Sequence, residues 1–213
     1  MSATGSTDAA KEEILQRIRS ALGSRPAAEP APRDYRRAGA EAPGSSALLD
    51  LFEDRLVDYK ATVHRTTSDH VGDTVRSVIA TLLPQGGSVL AASALPDEWL
   101  PEVTRDRGFT ALELDQFAGV VTACAAAAAQ TGTIVLDGSP DQGRRAITLV
   151  PDLHVCVVRA EQVVETVPEL LSRLDPIRPL TFISGPSATS DIELQRVEGV
   201  HGPRTLAVVL VTP

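Results

Sequence analysis

The sequence predicts an α/β protein with the architecture of a three-layer α/β/α sandwich around a mainly parallel sheet. Segments with a helical spacing of apolar residues alternate with short apolar segments between residues 47 and 211, as in chains whose helices connect parallel strands. Several of the short segments, such as residues 155–158 and 206–211, are apolar at every position. A strand of that kind needs cover on both faces, which favours a sheet lying between two layers.

An N-terminal helix and a proline-rich arm are predicted for residues 1–46. Apolar residues recur at helical spacing through residues 14–22, and a glycine follows the end of that pattern. Residues 24–46 contain four prolines among alanines, glycines and charged residues, a composition typical of a linker or extended arm. The arm carries a basic cluster that is either solvated or docked on an acidic surface. The cluster consists of Arg33, Tyr35, Arg36 and Arg37. The globular domain is expected to occupy residues 47–213.

Within the globular domain, the type of each element follows from local spacing or composition. Helices are predicted at residues 48–59, 75–83, 123–129 and 163–174. Strands are predicted at residues 62–65, 89–92, 109–114, 133–136, 147–150, 155–158, 180–183 and 206–211. The third of these helices rests on a run of alanines, the residue with the highest helix propensity.

Composition excludes several classes of protein. The formal charge of −8 argues against non-specific binding to nucleic acid or to an anionic membrane, since both depend on clustered Lys and Arg. No apolar segment approaches membrane-spanning length, and the N-terminus lacks the pattern of a signal peptide. Cys124 and Cys156 lie far apart in the sequence among small apolar residues. They are predicted to be buried thiols in a reducing, cytoplasmic compartment, with a disulfide or a single metal ligand as the alternatives.

The polar segment at residues 185–203 is the strongest candidate for a functional site. Asp191, Glu193 and His201 are candidate acid–base groups, and the hydroxyls of Ser187 and Thr189 are candidate ligand-binding groups. A structural interpretation stays open, because Ser190 and Glu193 have the spacing of a capping box and His201 can bond within its own turn. Acidic residues at a helix start would also oppose a bound phosphate. No two histidines have metal-ligand spacing, so no metal site is predicted.

A second candidate site follows the alanine run. Thr131, Gly132 and Thr133 offer hydroxyl and backbone N–H groups at the entrance of a strand, and ligands of open α/β sheets favour the crevice beyond the strand ends. Arg144 is the candidate partner for a carboxylate or phosphate, with Arg145 as the neighbouring alternative. His154 is interpreted as a packed residue at a strand end. The sequence contains no GxGxxG, P-loop or GxSxG motif, which argues against nicotinamide enzymes, NTPases and α/β-hydrolases.

Four of these segments together resemble the lactate utilisation protein C family, whose domain is also called the LUD domain. They are residues 131–136, 149–155, 185–193 and 199–203. The resemblance extends over residues 47–211, and the N-terminal helix and arm are also similar to the start of that family. It implies a fold similar to the sugar-phosphate isomerase and CoA-transferase superfamily. It also implies a role in oxidising L-lactate to pyruvate beside two partner proteins that carry iron–sulfur clusters.

The chain itself is expected to hold no cofactor, since an iron–sulfur cluster needs about four cysteines and this sequence contains two. The sequence also departs from the family at two positions where an acidic residue is usual, which are Gln130 and Ala125. These departures argue against a carboxylate mechanism at that strand entrance.

Three functions are compatible with these patterns. The preferred one is an accessory subunit of an iron–sulfur-dependent system that oxidises L-lactate. The second is a stand-alone enzyme acting on a CoA ester or sugar phosphate, with Asp191, Glu193 and His201 as acid–base groups. The third is a binding module for a small hydroxy acid, which Ser187, Thr189 and Arg144 would hold.

Overall fold

The computed structural model of the chain describes residues 4–23, 30–35, 37–190, 196–198 and 201–213. The chain divides into two compact units, Met1–Tyr35 and Arg36–Pro213. The helices and strands are, in chain order, α1 (Thr4–Leu22), α2 (Ser46–Asp58), β1 (Thr62–Thr67), α3 (Val71–Leu82), β2 (Val89–Ala91), β3 (Thr104–Arg105), α4 (Ala111–Leu114), β4 (Gly119–Thr122), β5 (Ala126–Ala128), β6 (Thr133–Leu136), β7 (Leu153–Arg159), β8 (Val163–Val164), α5 (Val167–Ser172), β9 (Thr181–Ile183), β10 (Ala188–Ser190), β11 (Arg196–Glu198) and β12 (Thr205–Thr212). The predicted N-terminal helix is confirmed as α1, which forms most of the first unit.

A parallel sheet is the centre of the second unit. In the described residues it has six strands in the order β1, β12, β7, β4, β2, β3, and every neighbouring pair is parallel. A smaller mixed sheet has the order β8, β5, β6, β9. The predicted α/β class and the mainly parallel sheet are therefore confirmed.

Two adjacent interior strands of this sheet, β7 and β12, bury both of their faces. Val155 and Val157 of β7 belong to one core, which includes the apolar face of α3. The alternate residues, Cys156 and Val158, belong to a second core that includes α2 and the smaller sheet. Since side chains alternate along a strand, two apolar cores require an apolar residue at every position. This requirement explains the uninterrupted apolar segments in the sequence.

Two predictions of secondary structure are wrong because a local propensity was misjudged. The alanine run contains the strand β5, which pairs with β6, and its residues Ala126 to Ala129 are fully buried. Helix propensity is a weak tendency, and tertiary pairing overrides it here. The predicted strand at residues 109–114 contains the helix α4 instead. Thr110 and Glu113 form a capping box that starts this helix.

The last third of the chain also differs from expectation in two places. The predicted strand at residues 147–150 overlaps a 3-10 turn, Arg145–Thr148, which the hydroxyl of Thr148 closes by donating to the Arg145 carbonyl (3.2 Å). The predicted helix at residues 163–174 is shorter, because β8 occupies its start and α5 begins after a capping box between Thr166 and Glu169.

The end of the predicted arm packs on the globular unit. The Glu165 carboxylate accepts hydrogen bonds from the N–H groups of Ala40 (2.5 Å) and Glu41 (3.0 Å), and the Gly44 N–H donates to the Val163 carbonyl (3.0 Å). Of the basic cluster, Arg36 lies outside the described residues. No helix in the described part of the chain combines the length and apolarity needed to cross a membrane.

Candidate functional site

A cleft of about 240 Å³ opens at the amino ends of β7 and β12. The cleft is bordered by β9 and the turn after it, by the turn before β12 and the start of that strand, by the 3-10 turn Arg145–Thr148 and by the start of β7. Residues 185–187 and 201–203 of the polar segment form the two turns. The two ends of the segment that sequence analysis singled out therefore meet at the cleft.

Backbone geometry brings Ser187 and His201 together. The Ser187 N–H donates to the Pro203 carbonyl (2.8 Å), and the Ser187 hydroxyl oxygen accepts from the His201 N–H (3.2 Å). The chain reaches this arrangement through Gly185, whose φ of +85° favours glycine. A Cβ at that position would lie 2.7 Å from the Tyr59 carbonyl oxygen, so the turn can approach the end of α2 only without a side chain.

Arg145 connects two of the segments that border the cleft. Its Nη1 donates to the carbonyl oxygen (2.8 Å) and hydroxyl oxygen (3.2 Å) of Thr148, and its Nη2 donates to the His201 carbonyl oxygen (3.1 Å). All three acceptors are neutral. Arg145 is accessible to solvent, yet enough protein surrounds its guanidinium to lower its pKa through desolvation. An arginine remains protonated in proteins, so this side chain contributes a positive charge to the cleft.

His154 lies at the floor of the cleft. It is 1% exposed, and its Nε2 is 2.8 Å from the Thr122 hydroxyl oxygen. Burial lowers the pKa of His154 to about 4, and the positive charge of Arg145 adds to this effect. The imidazole is therefore neutral near pH 7, with one nitrogen as donor and the other as acceptor. The expectation that His154 is a packed residue is confirmed, and in addition it borders the cleft.

The Thr131, Gly132 and Thr133 motif connects to the cleft through hydroxyl groups. The Thr133 hydroxyl oxygen lies 2.7 Å from that of Thr131 and 2.8 Å from that of Ser184, which borders the cleft. Gly132 adopts the left-handed conformation (φ +56°) and packs against Arg55 of α2. The motif therefore contacts the cleft indirectly, through the hydroxyl of Thr133. Of the hydroxyl groups in this cluster, that of Ser184 belongs to a residue that borders the cleft. Ser184 was not among the predicted residues, although its serine hydroxyl directly before Gly185 was a usable signal.

Arg144 lies outside the cleft. Its Nε and Nη2 donate to the two carboxylate oxygens of Asp106 at 2.7 and 2.9 Å. This contact lowers the pKa of Asp106, since the guanidinium stabilises the ionised carboxylate. Its neighbour Arg145 is the arginine that borders the cleft. The sequence offers both arginines, and only the direction of each side chain distinguishes them.

The remaining predicted site residues are only partly described. Asp191 and Glu193 lie outside the described residues. Thr189 belongs to β10, which pairs antiparallel with β11, and it stands opposite Val197. Their predicted roles stay predictions.

The two cysteines are free and buried, which confirms the expected thiols. The neighbouring Cys156 and burial raise the pKa of Cys124 well above its ordinary value. Their sulfurs are used internally: Cys124 donates to the Gln162 side-chain oxygen (3.4 Å), and Cys156 donates to the Ala123 carbonyl oxygen (3.8 Å). Among the described residues, no three His, Cys, Asp or Glu side chains are grouped so that they could hold a metal ion.

These features define a class: an α/β protein with a parallel sheet, a polar cleft at the amino ends of two adjacent interior strands, and an arginine in that cleft. The chain belongs to the LUD domain family, whose profile matches residues 49–211. The family resemblance seen in the sequence is thereby confirmed.

Individual relatives share nearly the full length of the chain. It is 45% identical to lactate utilization protein C of Deinococcus radiodurans, over 99% of this chain and 100% of the relative. It is 27% identical to lactate utilization protein C of Bacillus subtilis, over 95% and 96% of the two chains. The crystal structure of a duf162 family protein from Deinococcus radiodurans superposes with a TM-score of 0.65 at 37% identity, covering 78% of this chain and 97% of that one.

Proposed function

We propose that this chain takes part in lactate utilisation, as an accessory subunit of an iron–sulfur-dependent system that oxidises L-lactate to pyruvate. The observation that carries the proposal is the 45% identity to a lactate utilization protein C over the whole length of both chains. Membership of the LUD domain family agrees with it.

The cysteines support the accessory role. Oxidation of L-lactate to pyruvate releases two electrons and two protons, and the electrons need an acceptor. An iron–sulfur cluster requires about four thiolate ligands, whereas this chain has two cysteines, and both are buried and hydrogen-bonded within the fold. In this proposal, the clusters that accept the electrons therefore belong to partner proteins.

The same thiols favour a reducing compartment, and we place the protein in the cytoplasm. Fractionation of host cells checks this placement, with the protein expected in the cytoplasmic fraction.

Growth of a deletion strain tests the proposal. Without this gene, the host should grow poorly on L-lactate as the sole carbon source and normally on a sugar, and a plasmid copy should restore growth. Unimpaired growth of the deletion strain on L-lactate would refute the proposed function.

Affinity purification of the tagged protein from lactate-grown cells tests the partners. Cysteine-rich proteins with the absorption of iron–sulfur clusters should copurify. Their absence from a purification that recovers the tagged chain would argue against the accessory role.

A further inference from the structure

We infer that the cleft at the amino ends of β7 and β12 binds a small carboxylate, with Arg145 as the group that pairs with it. The choice of L-lactate as the acid to test rests on the proposed function, whereas the assignment of an anion site rests on the cleft itself.

The charge inside the cleft is the first argument. Among the described residues that border the cleft, Arg145 carries the only permanent charge, and none of them is an aspartate or glutamate. The chain as a whole has a formal charge of −8. A positively charged cleft on an acidic protein attracts small anions specifically to that place.

The second argument is the contrast with other arginines. Across the described part of the chain, many arginines form ion pairs with carboxylates. They include Arg65, Arg76, Arg105, Arg144, Arg178 and Arg204. Arg145 has only carbonyl and hydroxyl oxygens as partners in the described residues. The guanidinium is therefore hydrogen-bonded, but none of these partners carries a negative charge that would balance its positive charge.

The third argument is which N–H groups remain available. A guanidinium has five N–H donors, and the three contacts of Arg145 are made by Nη1 and Nη2 alone. At least two of the five N–H groups are therefore outside these contacts, and the Nε–H is one of them. The neighbouring Arg144 shows how the Nε side of a guanidinium binds a carboxylate, since its Nε and Nη2 donate to the two oxygens of Asp106. Arg145, which borders the cleft, keeps its Nε–H for a carboxylate of that kind.

Two serines supply hydrogen bonds for the rest of a small acid. The Ser187 oxygen already accepts from the His201 N–H, so its own hydrogen can be donated to a ligand oxygen. Ser184 also borders the cleft, and its hydroxyl oxygen, which lies 2.8 Å from that of Thr133, can accept a hydrogen bond from the hydroxyl group of a ligand. The volume of about 240 Å³ lies below the roughly 300–1,000 Å³ of sites for larger ligands, which favours a small acid over a CoA ester.

Calorimetric titration of the purified full-length chain tests the inference. L-Lactate and pyruvate should bind, and lactamide, which has the same shape as lactate but no charge, should bind at least tenfold more weakly. Arg145→Gln should weaken L-lactate binding by roughly 10- to 100-fold, since a hydrogen bond to a charged group is lost. Arg145→Lys should fall between Gln and wild type, because it keeps the charge and loses the paired donors.

Arg144→Gln is the matched control. It removes a positive charge one residue away, and it should change the affinity less than twofold. Circular dichroism and the melting temperature of each variant establish that it is folded.

Three outcomes would overturn the inference: L-lactate and pyruvate that do not bind wild-type protein, lactamide that binds as well as lactate, or a folded Arg145→Gln variant with unchanged affinity. Preferential binding of inorganic phosphate over both acids would also overturn it. These outcomes are independent of the growth test. A deletion strain that fails on L-lactate while the purified chain binds no acid would leave the proposed function standing and remove the anion site alone.

Discussion

Two clefts lie at opposite edges of the central sheet, each is bordered by an arginine, and the two arginines differ in what surrounds them. At the amino edge, Arg145 borders a cleft with hydroxyl and carbonyl groups. At the carboxyl edge, Arg159 borders a second cleft together with Trp99, Glu98 and Glu161. The Arg159 guanidinium lies 5.3 Å from the centroid of the Trp99 ring, in a cation–π contact.

Ligands of open α/β sheets usually bind at the carboxyl edge, so the amino-edge cleft runs against that tendency. The two edges differ in the groups that surround the positive charge of the arginine. At the carboxyl edge the positive charge is stabilised by an aromatic ring, with carboxylates close by. In the amino-edge cleft, Arg145 has no anionic partner in the described residues. The comparison suggests that uncompensated charge, more than strand polarity, locates the anion site in this fold.

The largest expected effect comes from the glycine that shapes the amino edge. Gly185→Ala should lower the free energy of unfolding by about 3 to 4 kcal/mol, because a left-handed residue with a Cβ is strained and this Cβ would collide with Tyr59. Urea unfolding measures the change. Gly86→Ala is the matched control, since Gly86 also has a positive φ (+78°) but no atom within 4 Å of its added Cβ. It should cost about 1 to 2 kcal/mol. Equal losses in the two variants would show that the approach of the turn to Tyr59 contributes nothing.

The buried histidine of the same edge should make stability depend on pH. His154 has a pKa of about 4 in the folded protein, against about 6.5 for an unfolded histidine. Between these values the unfolded state binds more protons, so His154 lowers stability by about 3 kcal/mol as the pH falls from about 6.5 to about 4.

Urea unfolding of wild type and His154→Gln across this range checks the prediction. The variant should lose less stability on acidification than wild type. His201→Gln, which changes an exposed residue of the same cleft, should retain the wild-type dependence. Parallel pH profiles for wild type and His154→Gln would contradict the burial argument.

The smallest expected effect concerns the carboxyl edge and separates the two arginines directly. Arg159→Met should lower the free energy of unfolding by about 1 kcal/mol through loss of the cation–π contact. It should leave L-lactate affinity unchanged. If Arg159→Met abolished binding and Arg145→Gln did not, the ligand would belong to the carboxyl edge, and the comparison would be reversed.

Much of the scaffold could be predicted from local pattern alone. A helix buried on one face, such as α2, has apolar residues at helical spacing. A strand buried on both faces, such as β12, has an uninterrupted apolar segment. Each of these two patterns indicates its type of element. The prediction for the alanine run was wrong because local pattern alone does not settle the type of that element. Alanine fits a helix by propensity and fits the crowded strand β5 by size, and only pairing with β6 decides between them.

The sequence by itself determined the fold class, the family and the segment that borders the cleft. These depend on the order and spacing of residues along the chain. Only the tertiary structure decided which arginine faces the cleft, that His154 lies at its floor, and that Ser187 lies beside His201. Those facts depend on side-chain direction and on contacts between segments far apart in the chain, and the local pattern of residues determines neither of these.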